Sequence, residues 1–172
     1  MTQYERLRRM IPQEVLDPLL DQDLCELDYD FLCFADVYGA VADVVPKDFI
    51  IVDFGCYMGA QAYFFQEHRG YIGIDDFDDW WAQGTQRFST ENSLMVTGRI
   101  EDIAPTIPDA SYIFAVCSYV PDEKAQQMVA EKYRNHLVFY PSGINDIAGV
   151  NAGKLREVFD KYHHEEALGA MQ

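Results

Sequence analysis

The sequence lacks most of the features that would settle its class at once. Its four cysteines and four histidines show no CxxC, CxxH or HxxxH spacing, so they encode no recognisable metal site. No stretch reaches the roughly 18 apolar residues that a bilayer-spanning helix needs. Residues 1–10 carry charges and no apolar core, unlike a secretory signal. Basic residues are scarce: 13 Lys and Arg against 29 Asp and Glu leave a net charge of −16. A surface that acidic repels phosphate backbones and anionic lipid, which argues against nucleic acid and membranes as partners. Internal repeats and low-complexity tracts are absent as well. The expectation is a reduced, cytoplasmic, acidic protein with no metal.

Apolar material is plentiful. Hydrophobic residues make up 49% of the chain and aromatic residues 14%, enough to bury a core, which excludes disorder for most of its length. At 172 residues one domain over 1–172 is expected.

Two rhythms divide it. Residues 1–46 read as a helical segment, with Pro12 and Pro18 breaking the stretch 4–20 into short pieces. Phe31, Phe34, Ala35, Tyr38, Val41, Ala42 and Val45 then recur on one helical face; Asp28 and Asp30 suit its start, and Pro46 ends it. From Asp48, short apolar runs at 49–52, 71–74, 94–96, 112–117 and 137–140 alternate with longer polar or amphipathic stretches. The runs are continuous rather than alternating, as strands covered on both faces are. Helices are expected over 60–68, 76–88 and 121–133, a shorter turn after Arg99, and a last helix over 152–162. This pattern predicts an α/β fold: a doubly wound, mainly parallel sheet of five or more strands with helices on both faces. The core spans 47–141, flanked by helical segments at 1–46 and 142–172.

Ligands of such sheets bind at the carboxyl ends of the strands. The first strand ends Asp53-Phe54-Gly55-Cys56-Tyr57-Met58-Gly59. Gly55 permits a tight turn out of the strand, and Gly59 permits close backbone approach where the next helix starts. The second strand ends Gly73-Ile74-Asp75-Asp76, with Asp75 22 residues after Asp53. A carboxylate there is placed to accept both hydroxyls of a ribose. The nicotinamide fingerprint G-x-G-x-x-G and the Walker loop are both absent.

The arrangement resembles the class I S-adenosylmethionine-dependent methyltransferases, a Rossmann-like superfamily whose first motif is D/E-x-G-x-G-x-G. Asp53, Gly55 and Gly59 match it, and the resemblance covers roughly 48–140. It implies that S-adenosylmethionine is the cofactor, that Asp53 approaches its methionine part, and that Asp75, with Asp76 beside it, holds the ribose. Tyr57 stands where the family's middle glycine would be, either stacking on the ligand or blocking it. After strand three, Arg99 takes the place of the family's adenine-contacting acid, and Glu101 follows. Ser118 falls beside the transferred methyl, with Tyr119 on the substrate side. Trp80 either walls the substrate or packs on the sheet. The family's amide-nitrogen motif is missing, which disfavours methylation of DNA bases. The sheet is expected to stop at five strands, leaving an edge that a second copy could cover.

Besides a nucleotide-binding protein or other adenosine-ligand enzyme with the same ribose acid, two functions follow. One is methyl transfer to a small-molecule or protein acceptor. The other is a non-catalytic interaction or regulatory module that has lost the cofactor.

Overall fold

The computed structural model describes residues 1–20, 35–76, 88–117, 120 and 122–138. Five parallel strands form one sheet: β1 (Ile50–Phe54), β2 (Gly70–Asp75), β3 (Ser93–Thr97), β4 (Ile113–Cys117) and β5 (His136–Val138), in the order β3-β2-β1-β4-β5. The chain winds outward from β1 to β3, then returns to lay β4 on the other side of β1. Strand order therefore reverses at β1, the point where ligands of doubly wound sheets bind.

The apolar runs are continuous because β1 and β4 are covered on both faces. Successive side chains point to opposite sides of a strand. Ile51 accordingly packs in one apolar layer with Tyr38, Phe65 and Tyr71, while Val52 and Phe54 pack in the other with Ala125, Val129 and Tyr133.

The first layer comes largely from the N-terminal segment. Helix α1 (Gln3–Met10) opens on a capping box: Glu5 N–H donates to Thr2 Oγ1 at 3.1 Å, and Thr2 N–H donates to the Glu5 carboxylate at 2.8 Å. Pro12 separates it from α2 (Gln13–Leu20). Pro18 does not break α2 as expected; the helix runs through it, forgoing one N–H donor in a short element. Residues 35–44 form α3, which buries Tyr38, Val41 and Ala42 on the anticipated face and stops before Pro46.

The stretch 60–68 holds a 3-10 helix (Ala60–Phe65) rather than an α-helix. Only residues 55–69 connect β1 to β2, and several of them form turns. A 3-10 helix rises about 2.0 Å per residue against about 1.5 Å for an α-helix, so it returns the chain along the sheet in fewer residues. After β3 come α4 (Ile100–Ile103) and a 3-10 turn (Ala104–Thr106), matching the expected short turn. Helix α5 (Glu123–Lys132) starts where Asp122 caps it, accepting from the N–H groups of Lys124 and Ala125 at 2.8 and 3.2 Å. Most of the helix expected over 76–88, the one over 152–162, and the end of the last apolar run lie outside the described residues. No described helix is long and apolar enough to cross a membrane.

Gly73 is fixed by packing. A Cβ there would lie 2.7 Å from both Cys56 Sγ and Met95 Sδ. Gly73→Ala is therefore expected to destabilise the fold by ~1–3 kcal/mol through overpacking. Urea unfolding should show a lower midpoint with an unchanged slope.

Candidate functional site at the carboxyl ends of the strands

The turn after β1 is built from left-handed backbone. Gly55, Tyr57 and Gly59 have φ of +79°, +55° and +76°. Tyr57 bears a side chain in a region that costs non-glycine residues ~1–2 kcal/mol. The turn is tied to β2: the N–H groups of Gly55 and Cys56 both donate to the Ile74 carbonyl, at 2.8 and 3.2 Å. Tyr57 N–H donates to Asp75 Oδ2 at 2.7 Å. Gly59 lies against β3, where an added Cβ would sit 2.4 Å from Met95 Cε.

Asp75 occupies the tip of β2. Its other oxygen accepts Asp76 N–H at 2.8 Å, which leaves each oxygen a second lone pair. Burial raises its carboxyl above the usual range, partly opposed by those two N–H donors, and the charge of Asp76 adds to the rise.

A cleft of about 240 Å³ opens here, lined by Gly55, Asp75, Asp76, Gly98, Arg99 and Glu101, with Ile100, Val120, Asp122 and Ala125 completing it. Arg99 Nη2 lies 3.4 Å from Glu101 Oε1 at the exposed rim. The structure thus brings Gly55, Asp75, Asp76 and Glu101 to one cleft, with Tyr57 and Gly59 in the adjoining turn. Trp80, Ser118 and Tyr119 lie outside the described residues.

Asp53 faces elsewhere. It shares strand parity with Ile51, so it points into the layer shared with α3, and it is wholly buried. Tyr38 donates its hydroxyl to Oδ1 at 2.7 Å; Tyr71 and Gln61 donate to Oδ2 at 2.5 and 2.8 Å. Burial pushes this carboxyl up to about 6 against the pull of those three donors. Tyr38, Tyr71 and Gln61 escaped the reading of the sequence. The parity of Asp53 with Ile51 was the available signal.

Cys117, at the tip of β4, is buried, and its thiol is pushed up to about 12, mainly by burial. Burial likewise drives Cys56 well above the ordinary thiol range. Neither holds a thiolate at neutral pH. Among the described residues no group of His, Cys, Asp and Glu could hold a metal ion.

The sequence matches no protein-family model and no curated protein. Solved structures do match. An rRNA methylase from Streptococcus thermophilus superposes with a TM-score of 0.50 at 14% identity, covering 66% of this chain and 74% of that one. The chain shares the fold of that methylase, a Rossmann-like parallel α/β sheet. Matches to the Trypanosoma brucei PRMT1 enzyme-prozyme complex with AdoHcy (TM-score 0.38, 15% identity) and to WbdD (0.39, 17%) superpose less closely. They cover 49% and 66% of this chain, but 28% and 24% of those proteins. Within this fold the cleft lies beside the reversal of strand order at β1.

Proposed function

We propose that the protein binds S-adenosylmethionine in this cleft and passes its methyl group to a small-molecule or protein acceptor. The observation that carries the reading is Asp75, a carboxylate lining the cleft between two side-chain-free positions, Gly55 and Gly98. Its open lone pairs suit the paired hydroxyls of a ribose. Ile100, Val120 and Ala125 supply apolar surface for a purine. Asp76, Glu101 and Asp122 set a negative field that suits a sulfonium cation. At about 240 Å³ the cleft is somewhat below the ~300 Å³ at which pockets for whole ligands begin, so it would take part of the cofactor rather than all of it.

The cofactor supplies an electrophilic methyl on a positively charged sulfur. The chain has to hold the two reactants in line and exclude water, which needs no acid–base dyad. On this reading Asp75 and Asp76 orient the ribose, Glu101 faces the base, and the turn 55–59 lets backbone approach the ligand. Ser118, Tyr119 and Trp80 are proposed for the acceptor side. The surrounding negative charge favours a neutral or cationic acceptor over nucleic acid.

Calorimetric titration with S-adenosylmethionine and S-adenosylhomocysteine tests this directly. Saturable binding at one site is expected, with affinity for both falling tenfold or more in Asp75→Ala, as loss of charge-assisted hydrogen bonds requires. A melt run alongside checks that the variant remains folded. Absence of heat at millimolar ligand would overturn the reading and leave the fold as an interaction module.

A further inference from the structure

The peptide unit joining Cys56 to Tyr57 is held at both ends. Its carbonyl accepts from Gln61 Nε2 at 2.8 Å and from Gly59 N–H at 3.0 Å. Its N–H donates to Asp75 Oδ2 at 2.7 Å. The same Gln61 nitrogen also donates to Asp53 Oδ2 at 2.8 Å, and Asp53 is fixed in turn by the hydroxyls of Tyr71 and Tyr38. A continuous run of hydrogen bonds thus leads from α3 to the carboxylate of the cleft. Tyr38, Asp53 and Tyr71 are fully buried, so water does not compete for these bonds.

The turn has reason to leave this arrangement. A flip of the Cys56–Tyr57 peptide would carry the Tyr57 φ from +55° to roughly −125°, out of the left-handed region that is costly for a residue with a side chain. The flipped N–H would then point away from Asp75.

We infer that Gln61 is a positioning residue for the cleft: supported by Asp53, Tyr38 and Tyr71, it locks the Cys56–Tyr57 peptide against this flip and so aims the Asp75 carboxylate. The consequence for affinity rests on the cofactor reading proposed above; the lock itself belongs to the ligand-free protein.

Amide hydrogen exchange on the full chain without ligand separates the two. Tyr57 N–H should be protected in the wild type and exchange at least about tenfold faster in Gln61→Met, which keeps the side chain's bulk but not its donor. Tyr38→Phe, a gentler change, should shift exchange in the same direction, and it serves as the test if Gln61→Met fails to melt cooperatively. Adding Tyr57→Gly to Gln61→Met should restore slow exchange at position 57, because glycine has no preference against positive φ. Affinity for S-adenosylhomocysteine should fall about tenfold in Gln61→Met and recover in the double variant. Unchanged Tyr57 exchange in a folded Gln61→Met or Tyr38→Phe protein, or no rescue by Tyr57→Gly, would overturn the inference. Exchange that behaves as expected in a protein that binds no cofactor would leave the lock standing and defeat the cofactor reading alone.

Discussion

Asp53→Leu is expected to lower the free energy of unfolding by ~3 kcal/mol or more. Leucine keeps the branching of aspartate, and its methyls add some crowding against groups 2.5–2.8 Å from the oxygens they replace, but the larger cost is polar. The cause is the donors left behind: two fully buried tyrosine hydroxyls, Tyr38 and Tyr71, and the amide of Gln61. Each buried hydroxyl that loses its carboxylate acceptor costs ~1–3 kcal/mol. Relief of the desolvation that holds the Asp53 carboxyl near 6 offsets part of that sum. The decisive comparison is the variant that also carries Tyr38→Phe and Tyr71→Phe. Removing the donors together with the acceptor converts a broken polar cluster into apolar packing, so the triple variant should be more stable than Asp53→Leu alone. Urea unfolding of the four proteins (wild type, Asp53→Leu, the Tyr38→Phe/Tyr71→Phe pair and the triple) checks it. If Asp53→Leu shifted stability by under 1 kcal/mol, or the triple variant were the least stable, the cluster would have no structural weight.

The buried acid changes how the site divides its labour. An acid at the end of the first strand invites a role on the ligand, and the resemblance to methyltransferases gave Asp53 that role. Strand parity turns its carboxylate toward the helices on the other face, where it anchors the turn from behind. The carboxylates that line the cleft come from β2 and from the segments after β3 and β4: Asp75, Asp76, Glu101 and Asp122. Asp75 is therefore both wall and fastening, since it closes the cleft and holds Tyr57 N–H.

How much of this could be read from the residues differs by level. The central strands were legible because buried parallel strands need continuous apolar runs, and 49–52 and Ile113–Cys117 are such runs. Gly55 and Asp75, which line the cleft, were legible because a glycine that ends one buried strand and an acid that ends the next both stand out from apolar runs. The 3-10 helix after the turn was not, since its cause is the length of the connection rather than the preference of Ala60–Phe65. Pro18 was misread because α2 carries on past one missing N–H. Tyr38 and Gln61 lie 15 and 8 positions from Asp53, so no local motif joins them to it; only the sheet and its covering helix do.

The same cluster sets the response to acid, and a histidine opposes it. In the fold the Asp53 carboxyl keeps its proton up to about pH 6, whereas the unfolded chain releases it near 3.8. Between those values the folded state binds more protons, so this group adds stability in acid that is lost as pH rises through 6. His68 behaves in the opposite sense. It is buried, its Nε2 lies 3.2 Å from the Val45 carbonyl, and its Nδ1 has no hydrogen-bond partner among the described residues. Burial first, then the charge of Lys47, bring it down to about 4 against the Val45 carbonyl and Glu67. The unfolded chain takes up that proton near 6.5, so stability from His68 is present above this pH and lost as pH falls toward 4. From pH 7 to pH 5 each group contributes ~1–2 kcal/mol, with opposite signs. Asp53→Asn should therefore make stability fall on acidification, by ~1–2 kcal/mol more than in the wild type. His68→Gln should make it rise by a similar amount, and the double variant should return to the wild-type slope. Because each protein is compared with itself at pH 7 and pH 5, any constant cost of the substitution cancels. Denaturant unfolding at the two pH values measures the tilt, and parallel slopes in all four proteins would show that neither group titrates as its burial requires.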